Sequence, residues 1–221
     1  MGLGEATAKL LAEHGVNIAL VSRSKDKLEN VRGEITSKFP DVKVAVYPVD
    51  IDILINNAGL ALGAPARFWE LPIDQVAQMS GTNINAVMFT THAVLNLSMW
   101  PRKKGKILNV SSVTGLECPP FNGEAVCHAS KAFLEGFTNS LRMETAGSDI
   151  RVLTLRPGCV DTRFHLQRVK YDQDAMDEFF EGYEPLAAED LAQTVLYMLS
   201  LPSRISIKAL DCVPTAQRSL T

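Results

Sequence analysis

Apolar and polar positions along this chain switch repeatedly between two periods. From residue 3 to 14 apolar residues recur every three or four positions, the spacing of one helix face, and VNIALV (16–21) follows as a short continuous apolar run. KDKLENVRGEITSKF is again amphipathic, VKVAVYPVD (42–50) reads as a strand, and IDILINNAG gives a third strand ending in glycine. A long helical stretch covers 72–99, KILNVSS (106–112) is a strand, 124–145 a helix, and IRVLTLRPG (150–158) a strand. Helices around 172–182 and 187–200 and a last strand, ISIKALDCV, complete the pattern. Strands alternating with helices predict an α/β fold, a doubly wound parallel sheet covered on both faces, as one domain over residues 1–221.

Two junctions break the rules of that architecture. The chain opens with Gly-Leu-Gly already entering a helix, whereas a phosphate-binding glycine turn needs a strand immediately before it. VKVAVYPVD then runs into IDILINNAG with almost no connection, although parallel neighbours need a crossover of about a dozen residues or more. A first strand and one crossover helix are therefore expected to be missing.

Composition narrows the partners. A net charge of −3 gives no basic footprint for nucleic acid, and no apolar run is long enough for a membrane span. The start, MGLGEATAKLLAEHG, lacks the features of a signal peptide, so a soluble, cytoplasmic protein is expected. Cys118, Cys127, Cys159 and Cys212 form no C-x-x-C pair and have no metal-like spacing with histidine; free thiols and no metal are expected.

Cys127 and Lys131, four residues apart on one helix face, are the first candidates for chemistry. A neighbouring ammonium favours thiolate, which makes reactive cysteines; a small buried cysteine beside a solvated lysine is the alternative. The rest of the chain changes that choice. MGLG, NNAG (56–59), TNINA (82–86), VSSVTG (110–115), C-x-x-S-K (127–131) and RPGCVDT (156–162) stand in an order that resembles the short-chain dehydrogenase/reductase family, and the tail SIKALDCVPTAQRS resembles its serine and 3-hydroxy acid dehydrogenase branch.

That resemblance implies a Rossmann sheet binding a nicotinamide dinucleotide. Gly2, Leu3 and Gly4 would form the surviving end of the glycine turn under the pyrophosphate. Ser22 and Arg23 follow the second strand, where an arginine suits the 2′-phosphate of NADP rather than NAD. Asp50 would lie beside the adenine, and Asn57, Ala58 and Gly59 along the cofactor ribose; Pro157, Gly158, Val160 and Thr162 would pass the nicotinamide. The implied catalytic set is Asn83 holding a relay water, Ser112 on the substrate oxygen, Lys131 on the ribose, and a tyrosine donating the proton. At the tyrosine position stands Cys127.

Acidity is no obstacle to a thiol in that role, because its ordinary pKa of about 8.5 lies below that of a phenol. Reach is, since the sulfur ends on the order of 4–5 Å short of a phenolic oxygen. His128 points roughly 100° around the helix and is a poor replacement. The expected function is an NADP-dependent oxidoreductase interconverting an alcohol and a carbonyl on a small molecule, with a 3-hydroxy acid held by Arg163 or Arg168 as one candidate, and with impaired proton transfer. The alternatives are a non-catalytic remnant acting by association through helices 72–99 and 124–145, which implies a homo-oligomer, or a truncated product without function. Without a first strand, strands 16–21 and 52–56 lose a shared partner and are expected to approach each other or to leave the first third loosely ordered.

Overall fold

Four parallel strands hold the half of the chain that carries most of the motifs. In the computed structural model, which describes residues 3–20, 25–45, 50–119 and 122–217, helix α1 (Leu3–Glu13) is followed by β1 (Ile18–Ala19), α2 (Lys25–Lys38), β2 (Val44–Ala45) and β3 (Ile53–Asn56). The long helical stretch is α3 (Ile73–Ser80), a π-turn at Gly81–Asn85, α4 (Ala86–Val94), a second π-turn at Leu95–Met99, and the short α5 (Trp100–Arg102). Then come β4 (Lys104–Val110), α6 (Ala125–Glu144), β5 (Asp149–Pro157), α7 (Arg163–Arg168), α8 (Gln173–Phe179), α9 (Ala188–Ser200) and β6 (Ala209–Cys212).

Strands β3, β4, β5 and β6 form one parallel sheet in that order, with Leu54 opposite Ile107 and Ile107 opposite Val152. Their apolar runs are long because helices cover both faces, and Ile107, Leu108, Leu153 and Leu155 are fully buried. Crossovers through helices α6 and α9 satisfy the length that parallel neighbours require.

The N-terminal region departs from this regularity. β1 pairs with β2 in a separate two-stranded sheet, Ile18 opposite Val44, and among the described residues no ladder joins it to β3. The expected approach of strands 16–21 and 52–56 is thus made by side chains alone. Ile18, Leu11, Ile35 and Val42 share an apolar cluster with Leu108, Leu153 and Leu155, and Leu20, Ile53 and Ile55 pack against it. Seven residues separate Ala45 from Ile53, too few for a crossover helix.

Helix α1 stops where its sequence says it should. Gly15 adopts φ 76°, Val16 N–H donates to Leu11 and Gly15 N–H to Ala12, which closes the helix end in a Schellman motif. Its other face meets α9 through Ala6, Ala188 and Ala192.

Candidate active site

The carboxyl ends of β3, β4 and β5 lie side by side, and three of the sequence motifs begin there. Asn57–Gly59 leave β3, Ser111 and Ser112 leave β4, and Pro157 and Gly158 leave β5. Parallel alignment of three strands is what brings NNAG, VSSVTG and RPGCVDT to one edge. Beneath them lies a buried polar network that sequence reasoning did not anticipate: Asn56 donates to Thr91 (3.0 Å) and Asn109 (2.7 Å), and Asn109 donates to Thr138 (2.8 Å). Buried amides satisfied in this way fix the strands under the site.

Lys131 rises to this edge from α6. Its Nζ donates to the carbonyl of Val110 (3.0 Å), the last residue of β4, and the side chain is buried. Burial lowers its pKa, and the Cys127 thiol one turn earlier offsets this only in part. The bare Cα of Gly59 faces the amine: a methyl group there would stand 3.6 Å from Nζ and 3.8 Å from the Phe164 ring. Gly115 is tighter still, because a methyl group would come within 3.1 Å of the Lys131 carbonyl. The VSSVTG turn therefore packs directly on the helix that carries the lysine.

Ser112 caps the 3₁₀ turn Val113–Gly115 by accepting from Thr114 N–H (3.2 Å), and its hydroxyl stands 3.4 Å from the Pro157 carbonyl. Asn83 sits in the first π-turn, a helix form that recurs at functional sites. Its side chain is fully engaged: Oδ1 accepts from Leu60 N–H (2.8 Å), and Nδ2 donates to the Leu60 carbonyl (2.8 Å) and to Ser130 (3.0 Å). It fastens the loop after NNAG to the helix; both N–H donors of its amide are used, and Oδ1 keeps one lone pair.

Cys127 is not the activated thiol that an exposed Cys/Lys pair would give. Burial raises its pKa and outweighs the Lys131 charge, so the group stays a thiol at neutral pH. Val160 is buried and bridges to Leu186, and Thr162 caps α7 through Phe164 N–H (3.4 Å). Gly4, in the first turn of α1, stands so close to Asn57 that a methyl group on it would come within 2.7 Å of the amide nitrogen. The start of α1 and the NNAG loop thus meet.

Not every expected position joins this group. Asp50 lies three residues before the start of β3, at the amino end of that strand, where its carboxylate faces Arg102 (3.4 Å) beside the Asp52–Arg102 pair (2.7 Å). That is the edge of the sheet opposite the motifs. The reason is the short 45–53 connection, which draws the residue toward β3 instead of letting it close β2. Gly2, Ser22 and Arg23 lie outside the described residues, as does the side chain of Leu3. The carboxylate-binding expectation for Arg163 and Arg168 also changes. Arg163 is exposed, whereas Arg168 is buried and already donates to Glu124 at the head of α6. Burial pushes the Glu124 carboxyl up against the pull of Arg168.

Sequence reasoning also missed Phe164, Glu124 and Gln217, whose Oε1 accepts from Cys159 N–H (2.8 Å) over Gly158. None of them stands at a periodic or motif position. Among the described residues no group of His, Cys, Asp and Glu is arranged to hold a metal ion, and no helix is long and apolar enough to cross a membrane. For a nicotinamide dinucleotide the fit is good at one end. Lys131 has three donors, one of them on Val110, and no side chain at Gly59 stands beside its amine. The adenine end has lost Asp50.

Residues 43–172 match the family model described as short chain dehydrogenase. The chain belongs to the short-chain dehydrogenase family. Serine 3-dehydrogenase of Rhizobium radiobacter is 34% identical over 232 aligned positions, covering 98% of this chain and 91% of the relative. The NADP-dependent 3-hydroxy acid dehydrogenase of Schizosaccharomyces pombe is 33% identical, with 98% and 90% covered. The closed form of a serine dehydrogenase complexed with NADP+ superposes with a TM-score of 0.90 at 28% identity, covering 100% of this chain and 94% of that one. This short-chain dehydrogenase is therefore an NAD(P)-dependent oxidoreductase by family, in the branch of serine and 3-hydroxy acid dehydrogenases. The alignment to the Rhizobium enzyme is longer than the 221-residue chain, so that relative carries residues that this chain skips.

Proposed function

We propose that this chain is a single-domain, NADP-dependent oxidoreductase that interconverts an alcohol and a carbonyl on a small molecule, with slow proton transfer. The observation that carries this reading is Lys131: a buried amine one turn after Cys127, on the Val110 carbonyl and beside the bare Gly59. The NADP-dependent relatives and the neighbour complexed with NADP+ support the choice of cofactor.

The hydride for the carbonyl carbon would be supplied by NADPH when it is bound. Lys131 would hold the ribose hydroxyls with its remaining donors, and its charge would favour the negative charge that develops on the substrate oxygen. Gly59, Pro157, Gly158, Val160 and Thr162 shape the passage beside it, with Asn57 and Ala58 leading in. Ser112 donates to the substrate oxygen when its hydroxyl turns from Pro157. Asn83 positions the Leu60 loop. The proton reaches the oxygen from a water under the Cys127 thiol, since the sulfur itself ends on the order of 4–5 Å short. Gly2, Leu3 and Gly4 receive the pyrophosphate, and Ser22 and Arg23 the 2′-phosphate.

Fluorescence titration with NADPH tests this directly. Saturable binding is expected; none at millimolar cofactor refutes the enzyme. A second reading, association without catalysis, is favoured by Ile73, Phe89 and Leu97, which stand 81%, 69% and 81% exposed on the α3 to α5 stretch. A second copy of this chain would cover them, and that assembly is compatible with the enzyme as well.

A further inference from the structure

The ion pair between Arg168 and Glu124 has no part in the chemistry above. Arg168 ends α7, and Glu124 stands at the head of α6, one turn before Cys127. Their side chains are only 8% and 10% exposed, and the guanidinium donates directly to the carboxylate. A guanidinium buried to this degree is unfavourable unless its charge is met, and an anion meets it best. On the wall of a substrate cleft that anion is either the ligand's or the protein's own.

Location places the pair close to the Lys131 site. Phe164, four residues earlier on α7, reaches Gly59 beside Lys131, so α7 runs as a roof from the lysine to Arg168. The charges of both Arg168 and Glu124 act on Cys127 and on Cys159, one at the start of α6 and the other just after the turn that ends β5. The pair therefore lies near both cysteines, and so near the position where the proton donor belongs.

We infer that Glu124 is a specificity-determining residue: it occupies Arg168 as an internal carboxylate, so the cleft takes uncharged carbonyl compounds and alcohols and refuses substrates bearing a carboxylate or sulfonate. An entering anion must either strip Glu124 from Arg168, leaving a buried carboxylate unpaired, or lie beside it as a second negative charge. Both are unfavourable. The inference rests on the oxidoreductase reading and gives its substrate class. It separates this chain from relatives whose names specify serine, sulfoacetaldehyde and 3-hydroxy acids.

The test compares 3-hydroxypropanoate with its methyl ester as ligands of the NADPH-bound protein, by calorimetry and thermal shift. The ester is expected to bind wild type more tightly than the acid. Glu124→Gln is expected to raise affinity for the acid about tenfold or more with little change for the ester, and adding Arg168→Met is expected to remove the gain. Tighter binding of the acid by wild type overturns the inference, as does a folded, NADPH-binding Glu124→Gln that gains nothing. Should Glu124→Gln fail to fold, the wild-type comparison of acid and ester still decides. Failure of wild type to bind NADPH refutes the oxidoreductase itself, a result distinct from lost discrimination between acid and ester.

Discussion

Replacing Cys127 by tyrosine restores the length that the proton donor lacks. The side chain leaves α6 one turn before Lys131 and on the same face, so a ring extending beyond Sγ is expected to run toward the Lys131 site. It carries a hydroxyl on the order of 4–5 Å further out, within reach of an oxygen held by Ser112. The Lys131 charge that fails to ionise the buried thiol would act on a phenol as well, lowering its pKa toward the working range. A positioned general acid contributes about 10²–10⁴ in rate, or roughly 3–5 kcal/mol of barrier. If the ring meets side chains instead of open cleft, overpacking costs about 1–3 kcal/mol of stability, which a melting curve detects. The assay is NADPH consumption with a panel of neutral aldehydes and ketones, beside cofactor titration. Cys127→Tyr is expected to raise kcat at least a hundredfold with NADPH affinity within a few-fold of wild type, whereas Cys127→Ser changes little. A folded, cofactor-binding Cys127→Tyr with an unchanged rate would refute the reasoning, because proton delivery would then not be limiting.

Three further outcomes follow from the same structure. Lys131→Met is expected to weaken NADPH binding about tenfold or more while raising the Tm of the cofactor-free protein at neutral pH. The folded-state pKa of this lysine lies below its unfolded value of 10.5, so the unfolded chain holds the proton more readily; the cost of burial fades as pH rises toward 10.5 and the two melting points should converge. His165, held between Phe164 and Phe180, has its pKa lowered to about 3, chiefly by burial and then by Arg168. Its contribution is complete above pH 6.5 and is lost as pH falls toward 3, about 2 kcal/mol at pH 5, so His165→Phe should flatten the acid limb of a denaturant stability profile; parallel profiles would contradict this. Phe89→Glu should shift the sedimentation coefficient of an assembled protein to that of a smaller species with unchanged circular dichroism, and an unaltered coefficient would show that this face is not the contact.

Continuous apolar runs were the readable part of the fold. IRVLTLRPG and KILNVSS become β5 and β4 within a few residues of their expected limits, because strands buried on both faces need uninterrupted apolar sequence. The stretch 72–99 keeps its helical course but contains two π-turns, and apolar spacing does not distinguish i→i+4 from i→i+5 hydrogen bonding. The last strand shrinks to Ala209–Cys212, since only these residues find a partner on β5. RFHLQR forms a short helix between the RPG turn and residue 172 that its mixed pattern did not announce; the Thr162 cap starts it. At the site, residues following strand ends were legible as motifs. Asp50 was not, because its place depends on connection length rather than local sequence. Glu124 and Arg168, 44 positions apart, carry no periodic signal at all.

The close contact of α1 with α9 also decides how the two sheets are held. Among the described residues no backbone ladder crosses from β1 to β3, and side-chain packing alone sets no register between them. What crosses the interruption is a pair of helices meeting through Ala6, Ala188 and Ala192, whose small side chains permit a short interaxial distance. The two helices act as a splint across a broken bone, fixing the spacing between the Gly4 end of α1 and the Lys131 cleft. Widening that spacing by a bulkier residue at Ala192 would lengthen the gap that a dinucleotide must bridge, without touching any residue of either end.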